Sequence, residues 1–296
     1  MYRSIKFSGT QGEGVDTVGE IMGAILHNMG YWIYGYRNFS SRIKGGYSSY
    51  EVTFAEYPVR VKKSNPDILV CLSPEGLARD YKSVAIDGIA LVDERLNAAA
   101  GGNVVVLPFS KYAKDGPGEV YKWIIALGSV AGHLSLDPVA IKMLLTEMFS
   151  RKGENTIQKN IEALEIGLAL TFSHKTLAKP LGERLGVNPV PLGNRRLIRG
   201  SDAIAEAALA TGCNFTSGYP ISPASEVFEY LAREFKDERG TAIQTEDEIS
   251  ALGMAIGASF AGATSMVTTS GPGLSLMVEG IGLAFMARIP VVLVNV

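Results

Sequence analysis

The sequence predicts an α/β fold in two domains, each a mainly parallel sheet flanked by helices, and three observations carry that expectation. Short apolar runs recur, each followed within a few residues by glycine, proline or acidic residues and then by a helical apolar period, most clearly at residues 214–217, 242–244 and 266–268. Glycine supplies 33 of 296 residues, above the usual share of about 7%, and many of these glycines follow the apolar runs, where backbone turns sharply or approaches a ligand. Between residues 171 and 196, Pro180, Pro189, Pro191, Gly182, Gly186 and Gly193 fall without periodicity, so the expected division is a domain at 1–175, a linker at 176–196 and a domain at 197–296.

In order, residues 4–8 form the first predicted strand, Gly9-Thr10-Gln11-Gly12-Glu13-Gly14 a tight loop, and residues 15–29 a helix with Val18, Ile21, Met22 and Ile25 on one side. Such a loop can offer backbone N–H groups and a helix N-terminus to a phosphate. Its glycines read GxxGxG and not GxGxxG, so the dinucleotide fingerprint is not met, and a plain turn fits equally well. Strands follow at 32–36 and 50–54 around a polar loop, 37–48, that holds Arg37, Arg42, Lys44 and Gly45-Gly46. This loop can receive an anion, although charged surface loops more often serve only solvation. A buried strand at 66–72, a helix at 74–80 and short strands at 84–86 and 104–107 continue the alternation. Helices are then expected at 119–133, at 137–149, where Asp137 caps and Pro138 opens the first turn, and at 155–170. The second domain begins with a helix at 202–210 and ends with a strand at 291–296, apolar to its last residue; a domain rarely ends so, and the native polypeptide is expected to continue.

Composition narrows the function classes. With 47% apolar and 20% charged residues the chain reads as a soluble globular protein. No run reaches the roughly 20 apolar residues of a membrane span, and residues 1–10 lack a signal peptide's apolar core. A formal charge of −2 predicts no general affinity for nucleic acid. Cys71 and Cys213 make no CxxC pair, which points to a reducing cytoplasm, and an iron–sulfur cluster needs about four thiolates. His27, His133 and His174 are scattered and form no metal-ligand set.

Three loops of the second domain are the candidates for chemistry, since parallel strands joined by helices deliver their loops to one edge of the sheet. In Gly218-Tyr219-Pro220-Ile221-Ser222-Pro223-Ala224-Ser225, Ser225 is placed to cap the helix at 226–235, while Ser222 sits between prolines that hold its hydroxyl stiffly, for a ligand or idly. Thr245-Glu246-Asp247-Glu248 leads into a helix rich in small residues, Ala251, Gly253, Ala255, Gly257 and Ala258. Thr245 and Glu248 match a capping box, which is the ordinary reading. Its rival is that Glu248 is buried against a ligand and passes protons. Thr268-Thr269-Ser270-Gly271-Pro272-Gly273 offers hydroxyls and glycines before a helix at 274–287, and a simple turn fits it too.

Those three motifs, together with Gly253-Met254-Ala255-Ile256-Gly257-Ala258, resemble the alpha subunit of 2-oxoacid:ferredoxin oxidoreductases in order and spacing. The first half resembles that family's gamma domain through Gly9-Thr10-Gln11-Gly12-Glu13-Gly14, Lys44-Gly45-Gly46 and Asn160-Ile161-Glu162-Ala163, so the likeness covers nearly the whole chain and is strongest after Gly200. The resemblance implies thiamine diphosphate chemistry of the 2-oxoglutarate or broad-specificity type. In such an enzyme a 2-oxoacid is oxidatively decarboxylated to an acyl-CoA and carbon dioxide, and electrons pass to ferredoxin. It implies a second domain that binds the cofactor's aminopyrimidine, truncated here, and a beta subunit that holds the diphosphate, its Mg2+ and a 4Fe-4S cluster. Glu248 matches the glutamate that hydrogen-bonds the pyrimidine and promotes its imino tautomer. Ser222 matches a position usually held by a threonine that contacts substrate or cofactor. Cofactor contacts are implied for Tyr219, Pro220, Ile221, Ser270 and Gly271, and in the first domain for Gly9, Gly12 and Lys44, with coenzyme A as co-substrate.

The sequence departs from the family in having fewer glycines in its first loop and Lys44-Gly45-Gly46 in place of Arg-Gly-Gly. It stops before the arginine loop that should follow the last strand, and it carries neither the Gly-Asp-Gly magnesium motif nor a cysteine cluster. The chain is therefore expected to be inactive without its beta subunit. Two rivals remain: a non-catalytic assembly subunit binding coenzyme A or a nucleotide, and an oxidoreductase specific for an aryl pyruvate.

Overall fold

The run Ile68-Leu69-Val70-Cys71 is too short for a helix and apolar at every position, and in the computed structural model it is a strand buried on both faces. The structure describes residues 2–39, 45–99, 102–174, 177, 192–235 and 240–296. The chain folds as two compact units, Met1–Leu197 and Ile198–Val296. Most of the expected linker, 176–196, lies outside the described residues.

In the first unit, β1 (Arg3–Thr10), β2 (Trp32–Phe39), β3 (Tyr47–Ala55), β4 (Ile68–Cys71), β5 (Ile89–Asp93) and β6 (Val104–Leu107) form a six-stranded sheet in the order β2-β3-β1-β4-β5-β6. Parallel pairing joins β1, β4, β5 and β6, while β3 runs antiparallel to both β1 and β2. The sheet is thus mainly parallel with one reversed strand. The helices are α1 (Val15–Asn28), α2 (Pro74–Asp80), α3 (Phe109–Asp115), α4 (Lys122–His133), α5 (Pro138–Phe149) and α6 (Glu154–Ser173). Val18, Ile21, Met22 and Ile25 of α1 are buried in the main core with Phe7, Phe54 and Trp123. α4 crosses α6 closely, and Ser129 Oγ donates to the Gly167 carbonyl at 2.9 Å while Thr171 Oγ1 donates to that of Ser129 at 2.9 Å.

Two expectations are corrected here. The strand expected at 84–86 is absent: a 3-10 turn at Tyr81–Ser83 precedes Ile86, which is 97% exposed. The strand is Ile89–Asp93, where the longer apolar run can pair along β4 from Ile68 to Cys71. The helix expected from 119 opens as a 3-10 turn, Glu119–Tyr121, and α4 starts at Lys122.

The second unit contains α7 (Gly200–Ala210), β7 (Phe215–Gly218), α8 (Ser225–Glu234), β8 (Thr241–Gln244), α9 (Glu248–Phe260), β9 (Ser265–Thr269), α10 (Gly271–Leu276), α11 (Val278–Ala287) and β10 (Val292–Asn295). Its four strands are all parallel, in the order β10-β9-β7-β8. The single helix expected at 274–287 is instead two, broken at Met277, whose buried side chain anchors the junction. No residue of α11 is buried, and Val278, Ile281, Leu283, Phe285 and Met286 stay exposed. Among the described residues no helix is long and apolar enough to cross a membrane.

Candidate functional site

Because β7, β8 and β9 are parallel, the loops that follow them emerge at the same edge of the second sheet. The Thr245 N–H donates to the Gly218 carbonyl at 3.0 Å, tying the first loop to the second. The third is tied to the end of β10: the Val296 N–H donates to the Thr269 carbonyl at 3.0 Å, and Ser270 Oγ to that of Val296 at 3.3 Å.

Glu248 is the first residue of α9, a helix fastened to the sheet by two strand hydroxyls. Ser217 Oγ donates to the Ala251 carbonyl at 2.6 Å, and Ser265 Oγ to the Ala255 carbonyl at 2.8 Å. The expected capping box does not form. Asp247 is the cap, its carboxylate accepting from the Ser250 N–H at 2.7 Å and from Ser250 Oγ at 3.0 Å, and these bonds hold its pKa below the ordinary value. Thr245 Oγ1 instead donates to the Asp247 carbonyl at 2.9 Å. Glu248, already inside the helix, is left without capping duty. It is only 8% exposed, and among the described residues no donor hydrogen-bonds its carboxylate.

The side chain of Glu248 lies against the start of α10. A Cβ built on Gly273 would fall 2.8 Å from Glu248 Cγ and 2.9 Å from its Oε1, and closer still to Thr269 Oγ1. Around Gly253, Gly257 and Gly271, by contrast, the described chain leaves open space. In the first loop, Tyr219, Pro220 and Ser222 are exposed and Ile221 is half-buried. Ser222 has no hydrogen-bond partner among the described residues, and no hydrogen bond joins it to Glu248. Ser225 does not cap α8: Ala224 flanks the helix, and Ser225 Oγ donates back to the Ile221 carbonyl at 3.2 Å.

The first unit brings two other predicted motifs together. The Gln11 N–H donates to the Gly46 carbonyl at 3.0 Å, so the Gly9–Gly14 loop rests on the Gly45-Gly46 turn; Lys44 lies outside the described residues. Gly14, at φ 100°, enters α1 from the left-handed region with no side-chain cap, a geometry that favours glycine. Gly12 is exposed, whereas Gly9 is accounted for by packing, since a Cβ there would lie 2.5 Å from Trp123 Cζ2. Beside the start of α1 is a cleft of about 220 Å³ lined by Gly14, Thr17, Tyr121, Trp123, Lys152 and Asn160. Buried Lys122 donates to Glu13 at 2.7 Å and so neutralises the loop's own carboxylate.

Two residues that sequence reasoning missed support these loops, Lys122 and Asp80, and Gly273, read only as part of the third loop, packs against Glu248. Asp80, buried at the end of α2, accepts from Lys6 Nζ at 2.7 Å, Ser8 Oγ at 2.6 Å and Tyr47 Oη at 2.8 Å. Burial pulls the Lys6 pKa down, but the Asp80 carboxylate outweighs it and leaves the pKa raised; burial keeps Tyr47 a neutral phenol. Burial also pushes the nearby Cys71 thiol up to about 12. The only sequence signal of Lys122 and Asp80 was polarity at otherwise buried positions.

Residues 4–170, more than half of the chain, match the profile described as pyruvate ferredoxin/flavodoxin oxidoreductase. The chain belongs to this family. Residues 206–296 match a second profile of the family, described as its thiamine-diphosphate-binding part. The 2-oxoacid:ferredoxin oxidoreductase alpha subunit of a Sulfolobus species is 29% identical over 332 residues, covering 96% of this chain and 52% of its own. The 2-oxoglutarate synthase subunit KorA of Methanothermobacter thermautotrophicus is 50% identical over 99 residues, 33% of this chain and 26% of that one. Among solved structures, the 2-oxoglutarate:ferredoxin oxidoreductase of Magnetococcus marinus, with 2-oxoglutarate, coenzyme A and succinyl-CoA bound, matches with a TM-score of 0.87. It is 29% identical and covers 100% of this chain and 52% of that one. The chain spans about half the length of the curated family members that it matches end to end.

Proposed function

We propose that this chain forms part of the alpha subunit of a coenzyme A-acylating 2-oxoacid:ferredoxin oxidoreductase, with 2-oxoglutarate the first acid to try. The observation that carries the reading is Glu248: a residue only 8% exposed, whose carboxylate has no hydrogen-bond partner among the described residues, at the edge where three loops emerge. Its side chain is packed while its carboxylate oxygens stay open and unpartnered among the described residues, so a ring N–H can reach them and donate a charge-assisted hydrogen bond. The residues present therefore fit an aminopyrimidine. When bound, thiamine diphosphate supplies the carbon nucleophile and electron sink for decarboxylation of a 2-oxoacid. Glu248 accepts the pyrimidine's hydrogen bond and exchanges a proton at its carboxyl oxygen. Ser222 turns its free hydroxyl to substrate or cofactor, and Tyr219, Pro220, Ile221, Ser270 and Gly271 wall the ring.

The first unit receives coenzyme A. Its support is the uncapped N-terminus of α1, the exposed loop around Gly12 that rests on Gly46, and a cleft lined in part by Lys152; Lys44 is proposed beside them from the sequence alone. Gly9 holds the packing of that loop. A beta subunit brings the diphosphate site, Mg2+ and a 4Fe-4S cluster, ferredoxin takes the electrons, and the complex works in the cytoplasm. The open apolar face of α11 suits a chain that is covered in an assembly.

The test is Glu248→Gln in the full-length chain assembled with its partner subunit, followed as 2-oxoacid-dependent dye reduction with coenzyme A for 2-oxoglutarate, pyruvate and an aryl pyruvate. Loss of about 10²–10⁴-fold in turnover, with assembly intact, is the expected size for a proton-transferring group. Near-normal turnover refutes the catalytic role and returns the chain to the assembly-subunit reading.

A further inference from the structure

We infer that Gly273 is a positioning residue, whose missing side chain sets where the Glu248 carboxyl lies; the inference rests on the proposed function above. The common reason for a glycine after a strand is a backbone angle that other residues avoid, yet Gly273 has no positive φ and sits within the first turn of α10. At such a position alanine is the better helix former. What alanine would meet is side chain: Glu248 Cγ at 2.8 Å, Glu248 Oε1 at 2.9 Å, and Thr269 Oγ1 nearer still. Thr269 is fully buried and the Glu248 stem packs against Gly273, so a methyl there must displace one side chain or the other. The volume a methyl would take is occupied by the Glu248 side chain and the Thr269 hydroxyl. Gly273 therefore acts by steric omission: it lets the carboxyl lie over the start of α10, where a pyrimidine ring can reach it, instead of being pushed along α9. The neighbouring Gly271 has open space around it and cannot do this.

The test is a double-mutant cycle on the full-length chain with its partner subunit, read as thiamine diphosphate affinity by calorimetry in the presence of Mg2+, beside turnover and melting temperature. Gly273→Ala should weaken thiamine diphosphate binding about tenfold or more, the loss of a well-placed hydrogen bond to a charged group. In a Glu248→Ala background, where no carboxyl remains for the methyl to displace and only the Thr269 hydroxyl still crowds it, Gly273→Ala should have no further effect on affinity. Equal losses in the two backgrounds, or unchanged affinity in Gly273→Ala, overturn the inference while leaving the role of Glu248 standing. If Glu248→Ala alone changes neither affinity nor turnover, the functional reading itself fails and takes the inference with it. Should Gly273→Ala fold poorly, the Thr269→Ala/Gly273→Ala pair relieves the shortest clash and keeps the crowding of Glu248, and the same cycle is run on that pair.

Discussion

Removing the Asp80 carboxylate should cost the first unit about 3–5 kcal/mol, the size of breaking a buried ion pair from one side. Asp80→Ala strips the acceptor from three donors at once, Lys6 Nζ, Ser8 Oγ and Tyr47 Oη. Hydrogen bonds to a charged group are worth about 1.5–3 kcal/mol each, but three that share one acceptor do not add. Three features hold the cost down. Lys6 keeps 15% of its side chain exposed and so retains some water, and Glu51 stands opposite it in the β1/β3 register with an unpartnered Oε1. Tyr47 Oη also keeps Ser49 Oγ at 3.0 Å. The worst remaining defect is then the Lys6 charge, so adding Lys6→Met to Asp80→Ala should restore about 1–3 kcal/mol, since a pair replaced on both sides is often nearly neutral. Urea unfolding followed by tryptophan fluorescence measures this directly, because Trp32 and Trp123 both lie in the first unit. A loss below about 1 kcal/mol in Asp80→Ala, or a further loss on adding Lys6→Met, would refute the claim that Asp80 holds Lys6, Ser8 and Tyr47 together.

Other outcomes follow from the same contacts. Gly167→Ala should lower stability by about 1–2 kcal/mol although alanine favours helix, because its methyl would strike the Ile125 carbonyl and sit 2.8 Å from the Gly128 backbone, atoms that cannot rotate away; a raised urea midpoint would count against the close helix crossing. His133 is buried, and its Nδ1 pairs with the Leu177 carbonyl at 3.1 Å. Burial lowers its pKa from 6.5, so the folded state favours the neutral ring; its contribution is full above pH 6.5 and falls as the pH drops below that value. His133→Gln should flatten that acid-side loss in a stability-against-pH series, and an unchanged slope would show that other groups set it.

The strands and loops were largely legible because each states its own period. Residues 66–72 read as a buried strand from the apolar run 68–72 and residues 104–107 as a short one, and the second unit's parallel series follows from runs separated by helical patterns. Failures came where two local rules competed. Thr245 and Asp247 both suit a cap, and the choice falls to Asp247 because its short carboxylate reaches the Ser250 N–H once Glu248 is already helical. The 84–86 assignment gave weight to three residues when the neighbouring run, Ile89 to Val92, had more apolar surface to bury. The support around the site was not legible at all. Asp80 meets Lys6 and Tyr47 only after β1, β3 and α2 have been packed together, and Gly273 reads as a turn glycine until the direction of the Glu248 side chain is known.

The bond between Gln11 and Gly46 bears on how the first unit forms. Its two ends belong to loops that close only when β1 and β3 pair from Arg3 and Phe54 to Thr10 and Tyr47, a contact spanning residues far apart in the chain. The entropy of that closure must be met before either loop has a fixed shape. The Gly9–Gly14 loop and the Gly45-Gly46 turn therefore gain their geometry in the same cooperative step, and a partly folded chain presents neither to a ligand.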